Sequence, residues 1–483
     1  MRNVNKLLGI GLFVALAMGM SGCKGKDGTK GPGKKGGDGI GSTAKGKAGA
    51  APTKEAKEDF AKAVAKYNKL NSDGKIEGKE CEQAAEAFTK VFKDHGKPMV
   101  AAYFNAGAIY DQCGNTEKAQ KIYKDVISAN PKYDLAYNNL GVIYWKQGKE
   151  KQALDTFRKG VNANKLQARA ARNNVAGISR NAYVKTLDAS AFKEAETSIQ
   201  TVLALDSSNQ AAYENLARLY YDRGIRKDAS YLVLANLVVT QALRVLSDEG
   251  RKSADILNIS GLLYMQRDDQ INALKAFKGS VEIRPDHPEA NLNIAFISIR
   301  FRDYETAEKS LGIALKDKKI AKNPEAWLAL GVAQRGLKKF KKAEESYTKA
   351  AKLAPKDPRP WYNLAVLNQM HLATSDGIDQ EGTKKYFNIA KKHYSKFMEL
   401  AGSKKEFATN ALEAKDSLAT IDETFEFFKI QKELEAQAKK MEELQKKQEA
   451  EERKRLLELE KKAQEAAAAA ASGGGDAAAG GAS

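Results

Sequence analysis

The chain has 483 residues, 29% charged and 42% hydrophobic, with 80 Lys and Arg against 61 Asp and Glu for a formal net charge of +19. The excess is uneven: residues 1–54 carry 10 basic and 2 acidic side chains and residues 422–483 carry 11 and 14, which leaves +14 on residues 55–421. No strand-like apolar/polar alternation is sustained anywhere, which excludes a β-built fold, and the basic body favours acidic protein surfaces or anionic envelope polymers as partners.

Arg2 and Lys6 precede an apolar run from Leu7 to Met20, too short to span a bilayer as a mature helix, so residues 1–22 read as a signal peptide. The run ends in Met20-Ser21-Gly22-Cys23. This resembles the bacterial lipobox, with Met in place of the commoner Leu, and implies that Cys23 becomes the lipidated first residue. Several acyl chains on one residue hold a protein stably where one does not. Lys24 follows where an Asp would imply retention in the inner membrane, so the expected location is the outer membrane, facing the periplasm. Export removes nucleic acid as a partner. Residues 24–54 are Gly, Lys, Ala and Ser with almost no apolar side chain, and read with Cys23 as a lipidated tether, residues 23–54, spanning about 30 Å.

Residues 55–97 read as an N-terminal helical cap made of two helices, with Phe60, Val64 and Tyr67 on one face and Ala84, Phe88 and Val91 on another. The connection from Lys69 to Glu80 matches an EF-hand calcium loop at its third, fifth, sixth, eighth and twelfth places, but Lys69 sets a cation where the first carboxylate belongs. A plain Asn/Asp/Gly turn is the expectation, with no metal and no cofactor.

From residue 98 one pattern returns. Tyr137, Leu140, Gly141, Tyr144, Gly148, Ala153 and Phe157 place two apolar faces on two short helices with a glycine turn between them. Tyr103, Gly107, Tyr110, Gly114, Ala119 and Tyr123 occupy the same slots thirty-four residues earlier, with Pro131 closing that copy. Further copies are Tyr213-Leu216-Ala217-Tyr220, Leu257-Gly261-Tyr264-Ala273-Phe277-Pro285 and Trp327-Leu330-Gly331-Ala343-Tyr347-Pro355. Weaker ones lie at Ile294-Ala295-Ala307-Leu311, at Trp361-Leu364-Ala365 with a second helix delayed to Ala390-Tyr394-Phe397, and around Ala195 and Ile199. The period and slots resemble the tetratricopeptide repeat (TPR), about eight copies over residues 98–403. The resemblance implies an all-α fold, a right-handed superhelical solenoid that binds proteins. Departures from the period are expected at 168–175, at a long helix near 228–247 and at an insertion over 373–385.

A capping helix is expected at 404–421, and a long charged C-terminal helix over residues 422–471, which lack Pro and Gly. Six Glu-to-Lys/Arg pairs at four-residue spacing, among them Glu442-Lys446 and Glu458-Lys462, support it by about 2 kcal/mol in total. Phe427, Ile430, Leu434, Met441 and Leu444 take heptad slots before the register meets Gln448, Glu451 and Arg455, leaving a homodimer through this helix and an isolated helix both open. Residues 472–483 read as a disordered Gly/Ala tail.

His95, His287, His371 and His393 show no metal-ligand spacing and read as surface histidines, and no catalytic constellation stands out, so no enzyme is expected. In the TPR frame, Cys81 begins the second cap helix and Cys113 ends the antiparallel helix after it, which predicts a Cys81–Cys113 disulfide in an oxidising periplasm. An asparagine follows the aromatic slot by two in Asn105, Asn139, Asn215, Asn293 and Asn363, but Ile259 and Ala329 break the row. The row is similar to the asparagine ladder with which the TPR superhelix of eukaryotic O-GlcNAc transferases grips a peptide backbone, implying a solvated peptide-binding groove. The order of lipobox, tether, repeat array and charged helix resembles the TPR lipoproteins of the myxobacterial adventurous gliding-motility machinery. It implies a lipid-anchored periplasmic scaffold that binds protein partners, extended acidic segments among them, in an envelope complex. Alternatives are a pilotin-like assembly factor for a secretin of a type IV pilus or secretion system, and a regulatory subunit of a cell-wall enzyme.

Overall fold

The computed structural model describes residues 51–72, 74 and 76–472. The signal peptide, Cys23, nearly all of the tether, the centre of the Lys69–Glu80 turn and residues 473–483 of the Gly/Ala tail lie outside them. The described residues form α-helices and no strand. They divide into two compact units, one up to Asn293 and one from Ile294.

In the first unit, α1 (Lys54–Leu70) and α2 (Gly78–His95) precede the hairpins α3/α4 (Val100–Gln112, Thr116–Ala129), α5/α6 (Asp134–Lys146, Glu150–Ala163), α7/α8 (Arg169–Thr186, Ala189–Leu205), α9/α10 (Gln210–Arg226, Ser230–Asp248) and α11/α12 (Ala254–Met265, Gln270–Ile283). The unit boundary falls inside α13 (Pro288–Arg300). The second unit continues with α14 (Tyr304–Ala314), α15/α16 (Pro324–Gly336, Phe340–Leu353), α17/α18 (Pro358–Leu367, Gln380–Ala401) and α19 (Ala408–Ser472).

Local sequence explains these boundaries. Asn115, Asp188, Asp269 and Asp303 cap the second helices of four hairpins with their side-chain oxygens, and Asn209, Ser253, Asn323 and Asp357 do the same for first helices. In five of the turns between paired helices one residue is left-handed, Gly114 and Gly148 in two of them and Asp268, Arg302 and Lys338 in the equivalent slot of the others. Within a hairpin the second helix buries residues four apart, Ala153 with Phe157, Ala273 with Phe277 and Ala343 with Tyr347, each 0% exposed. The glycine of the first helix lies under that ring: a Cβ on Gly141, Gly261 or Gly331 would stand 2.6, 2.5 or 2.4 Å from the Phe157, Phe277 or Tyr347 ring. Close backbone approach is the reason for glycine in that slot.

Three expectations are corrected. The departure expected at 168–175 is no separate segment, because α7 begins at Arg169 and serves as the first helix of its hairpin, and the extra length lies within the helices of that hairpin. The connection in the last hairpin is shorter than residues 373–385: a π-helical turn, Asn368–Leu372, extends α17, and α18 starts at Gln380. The capping and charged helices, expected at 404–421 and 422–471, are one helix of 65 residues, with residues 405–407 a 3-10 turn before it. Its first turns bury Ala414 and Ile421 against Tyr394 and Phe397, and nothing in the sequence breaks it afterwards. The long helix near 228–247 is α10, apolar enough for its length to cross a membrane; its stripe of Ala235, Val239, Ala242 and Leu246 is buried in the hairpin.

Candidate functional site: the polar inner face of the first unit

The first helices of the hairpins in the first unit carry a continuous polar seam. Asn174 Nδ2 donates to Asn138 Oδ1 at 2.8 Å, Asn138 Nδ2 to Asn139 Oδ1 at 3.2 Å, and Asn139 Nδ2 to the Tyr123 hydroxyl at 3.0 Å. Asn215 Nδ2 donates to the Asn173 carbonyl at 3.3 Å, and Asn173 Nδ2 to Asn209 Oδ1 at 3.1 Å. Apart from the Asn138–Asn139 bond between chain neighbours, each bond joins one hairpin to the next, so the amides fix register between repeats.

The expected solvated ladder is therefore corrected. Asn105, Asn139 and Asn215 are each only 2% exposed, because the next first helix covers them, and Asn139 and Asn215 spend their amides inside the stack. Asn293 and Asn363 are half-buried and turn their amide N–H groups onto the Glu289 and Arg359 carbonyls of their own helices, both at 2.9 Å.

Beyond the amides the seam becomes charged. Arg180 Nε on α7 pairs with Asp222 on α9 at 2.5 Å. Arg218 on α9 pairs with Glu289 on α13, and Asn258 on α11 donates to the same Glu289 Oε2 at 3.0 Å. Three consecutive first helices thus meet at one carboxylate. Arg218 reaches past the intervening hairpin to make this contact. Both donors use Oε2, and 47% of the Glu289 side chain is open to solvent. Burial pushes the Glu289 carboxyl up, but the Arg218 charge and hydrogen bond, with His287 and Arg180 behind them, outweigh it and hold the group at about 2. Arg218 is raised in turn: burial lowers it, and the Glu289 and Asp222 charges more than compensate.

Behind this line Ser253 donates to Glu214 at 2.6 Å, and Asp255 lies 3.2 Å from Arg284 and 3.3 Å from His287 Nε2. His287 is not a surface histidine. It is 1% exposed and its Nδ1 accepts the Ala290 N–H at 3.3 Å, closing the start of α13. In the second unit His371 stacks on Phe340 and His393 lies beside Trp361, and burial lowers both below the ordinary histidine value.

Cys81 on α2 and Cys113 at the end of α3 are joined by a disulfide, with Cα atoms 6.4 Å apart. Among the described residues no group of three His, Cys, Asp or Glu is placed to hold a metal. Cys23 lies outside the described residues.

Residues 100–133, 135–165 and 299–358 match family models of the tetratricopeptide repeat. The chain carries tetratricopeptide repeats. Human tetratricopeptide repeat protein 6 is 40% identical over 76 residues, 15% of this chain and 15% of that relative's length. Among solved structures, Pseudomonas aeruginosa PilF is 18% identical, covering 48% of this chain and 96% of its own at a TM-score of 0.39. PilW, described as a widely conserved type IV pilus biogenesis factor, is 17% identical, covering 49% and 97% at 0.37. The polar seam of the first unit was only partly legible in the sequence. Asn174 occupies the slot of Asn139, but Arg172 replaces the aromatic anchor that marks that slot elsewhere.

Proposed function

We propose that the chain is a non-enzymatic scaffold of the cell envelope, lipid-anchored through Cys23, whose repeats recruit protein partners into a multiprotein machine. The observation that carries this reading is the inner face of the first unit, where Arg218, Asn258 and Glu289 from three successive repeats form an ordered, partly open, charged floor. Such a surface suits recognition: the solvent-open side of Glu289 accepts an N–H or an ammonium from an extended partner segment, and the charge on residues 55–421 speeds the approach of an acidic partner. The arrangement of lipobox, tether, repeats and terminal helix supports an outer-membrane, periplasm-facing scaffold of the gliding-motility type.

The test is chemical crosslinking of the protein purified from its own membranes, with the partners identified by mass spectrometry. Recovery of motility-complex subunits supports the proposal. A secretin as the main partner would replace it with a pilotin-like assembly role, and a cell-wall hydrolase or synthase with a regulatory one.

A further inference from the structure

The C-terminal helix keeps contact with the body of the second unit as far as Gln431, whose Oε1 accepts from Gln380 at 3.3 Å, and every residue from Lys432 to Ala470 is exposed. Along this stretch and the turn before it Phe427, Ile430, Leu434, Met441 and Leu444 are each more than half exposed, and they repeat at heptad spacings on one side of the helix. Isolated exposed leucines need no explanation. Five large apolar side chains in one line, about 26 Å long, on a helix otherwise made of Glu, Lys, Gln and Ala, are a seam without a partner. The seam is bounded, since the same register continues through Gln448, Glu451 and Arg455.

We infer that this seam is covered by the same seam of a second copy running antiparallel, so that two chains join through residues 426–447. Charge complementarity selects this pairing. With Phe427, Leu434 and Met441 in one core position of the heptad and Ile430, Gln437 and Leu444 in the other, the flanking position before the first core residue holds Glu426, Glu433, Lys440 and Lys447. In an antiparallel pair, Phe427 meets Leu444 of the second copy, Ile430 meets Met441, and Leu434 meets Gln437. The flanking residues then pair as Glu426 with Lys447 and Glu433 with Lys440, each twice by symmetry. Every one of these four contacts is attractive. In a parallel, in-register pair the same residues face Gln431, Ala438, Gln445 and Glu452, and only Lys447 with Glu452 is attractive. The two-fold axis falls between Glu435 and Ala436, and the central Leu434 and Gln437 layers set a polar pair at the middle of the seam, the kind of residue that fixes register. Dimerisation places the two sets of repeats at opposite ends of the seam and doubles the valence of the scaffold, which raises its avidity for a multi-subunit partner without any new contact.

A seam of about three heptads gives a weak, reversible dimer, so the measurement is molar mass against concentration, from about 1 to 100 μM, by sedimentation equilibrium. The sample is the full chain carrying Cys23→Ser, so that lipid does not drive association. The expected result is a monomer–dimer equilibrium that weakens at least tenfold in Glu426→Lys with Glu433→Lys and recovers when Lys440→Glu and Lys447→Glu are added to the same chain. All four positions are exposed, so helicity by circular dichroism stays constant. Nitroxide labels on Lys432→Cys and Lys446→Cys distinguish direction: in the antiparallel pair the Lys446 labels lie roughly 15 Å farther apart than the Lys432 labels, from the 1.5 Å rise per residue, and in a parallel pair the two distances are equal. A chain that stays monomeric, a dimer indifferent to the charge reversals, a quadruple variant no better than the double, or equal label distances would each overturn the inference.

Discussion

Gly261→Ala tests whether the hairpin geometry dictates the repeat signature. The new Cβ would stand 2.5, 2.7 and 2.8 Å from Cε1, Cδ1 and Cζ of Phe277, closer than carbon atoms pack, and Phe277 is 0% exposed with no open side to swing toward. Alanine gains about 1 kcal/mol over glycine in a helix interior. Overpacking a filled core costs about 1–3 kcal/mol, and a clash with three ring atoms lies at the upper end, so the net loss is about 1–2 kcal/mol. Gly279→Ala in the second helix of the same hairpin is the control, because its Cβ would meet only Leu257 Cδ1, at 3.5 Å, an ordinary contact. It should gain up to about 1 kcal/mol. Urea unfolding of the full chain measures both, and Gly261→Ala with Phe277→Leu should recover part of the loss. If Gly261→Ala is as stable as Gly279→Ala, close approach is not the reason for the glycine.

Asn139→Ala should lower stability by about 2 kcal/mol, because it strands the buried Tyr123 hydroxyl and the Asn138 amide; unchanged melting with weakened partner binding would restore the solvated-ladder reading. Glu289 is held at about 2 against an ordinary 4.5, so its contribution is fully present above about pH 4.5 and disappears as pH falls through about 2. Solvent reaches the Glu289 side chain, 47% of which is open, which keeps that contribution below about 1 kcal/mol, and the expected readout is a carboxyl titration near 2 by NMR that moves up in Arg218→Met; a midpoint near 4.5 in the wild type refutes the pairing. Reducing the Cys81–Cys113 bridge, which closes a 32-residue separation, should cost about 3–4 kcal/mol and show first as faster amide exchange in α1 to α3; unchanged exchange counts against it.

The repeats were legible because each slot answers a local demand. A glycine under a ring and an alanine four residues before an aromatic are set by contacts inside one hairpin, so one copy of the pattern predicts another. Contacts between hairpins were harder to read. The slot of Asn139 and Asn215 tells which face the side chain is on, but whether that face meets water depends on how closely the next first helix approaches, and here it covers both. Arg218 and Glu289 are 71 residues apart and bracket a whole hairpin, a separation that no local pattern encodes. His287 looked like an ordinary polar residue in a turn, yet it closes a helix start and faces Asp255 from a fully packed position. The single 65-residue terminal helix reads as two in the sequence because its composition changes near residue 422, although neither Pro nor Gly interrupts it.

A partner held on the inner face of the first unit would lie within reach of a probe placed there. The direct measurement is photocrosslinking in the living cell from benzoylphenylalanine placed at Leu262 and Asn293. These follow Asn258 and Glu289 by four residues on the same helix faces, and both are half-buried. Exposed Lys159 and Lys278 on second helices serve as controls. The expected result is that one protein, identified by mass spectrometry, is captured from both first-helix positions and from neither control. Capture from Lys159 and Lys278, with none from Leu262 or Asn293, would contradict it.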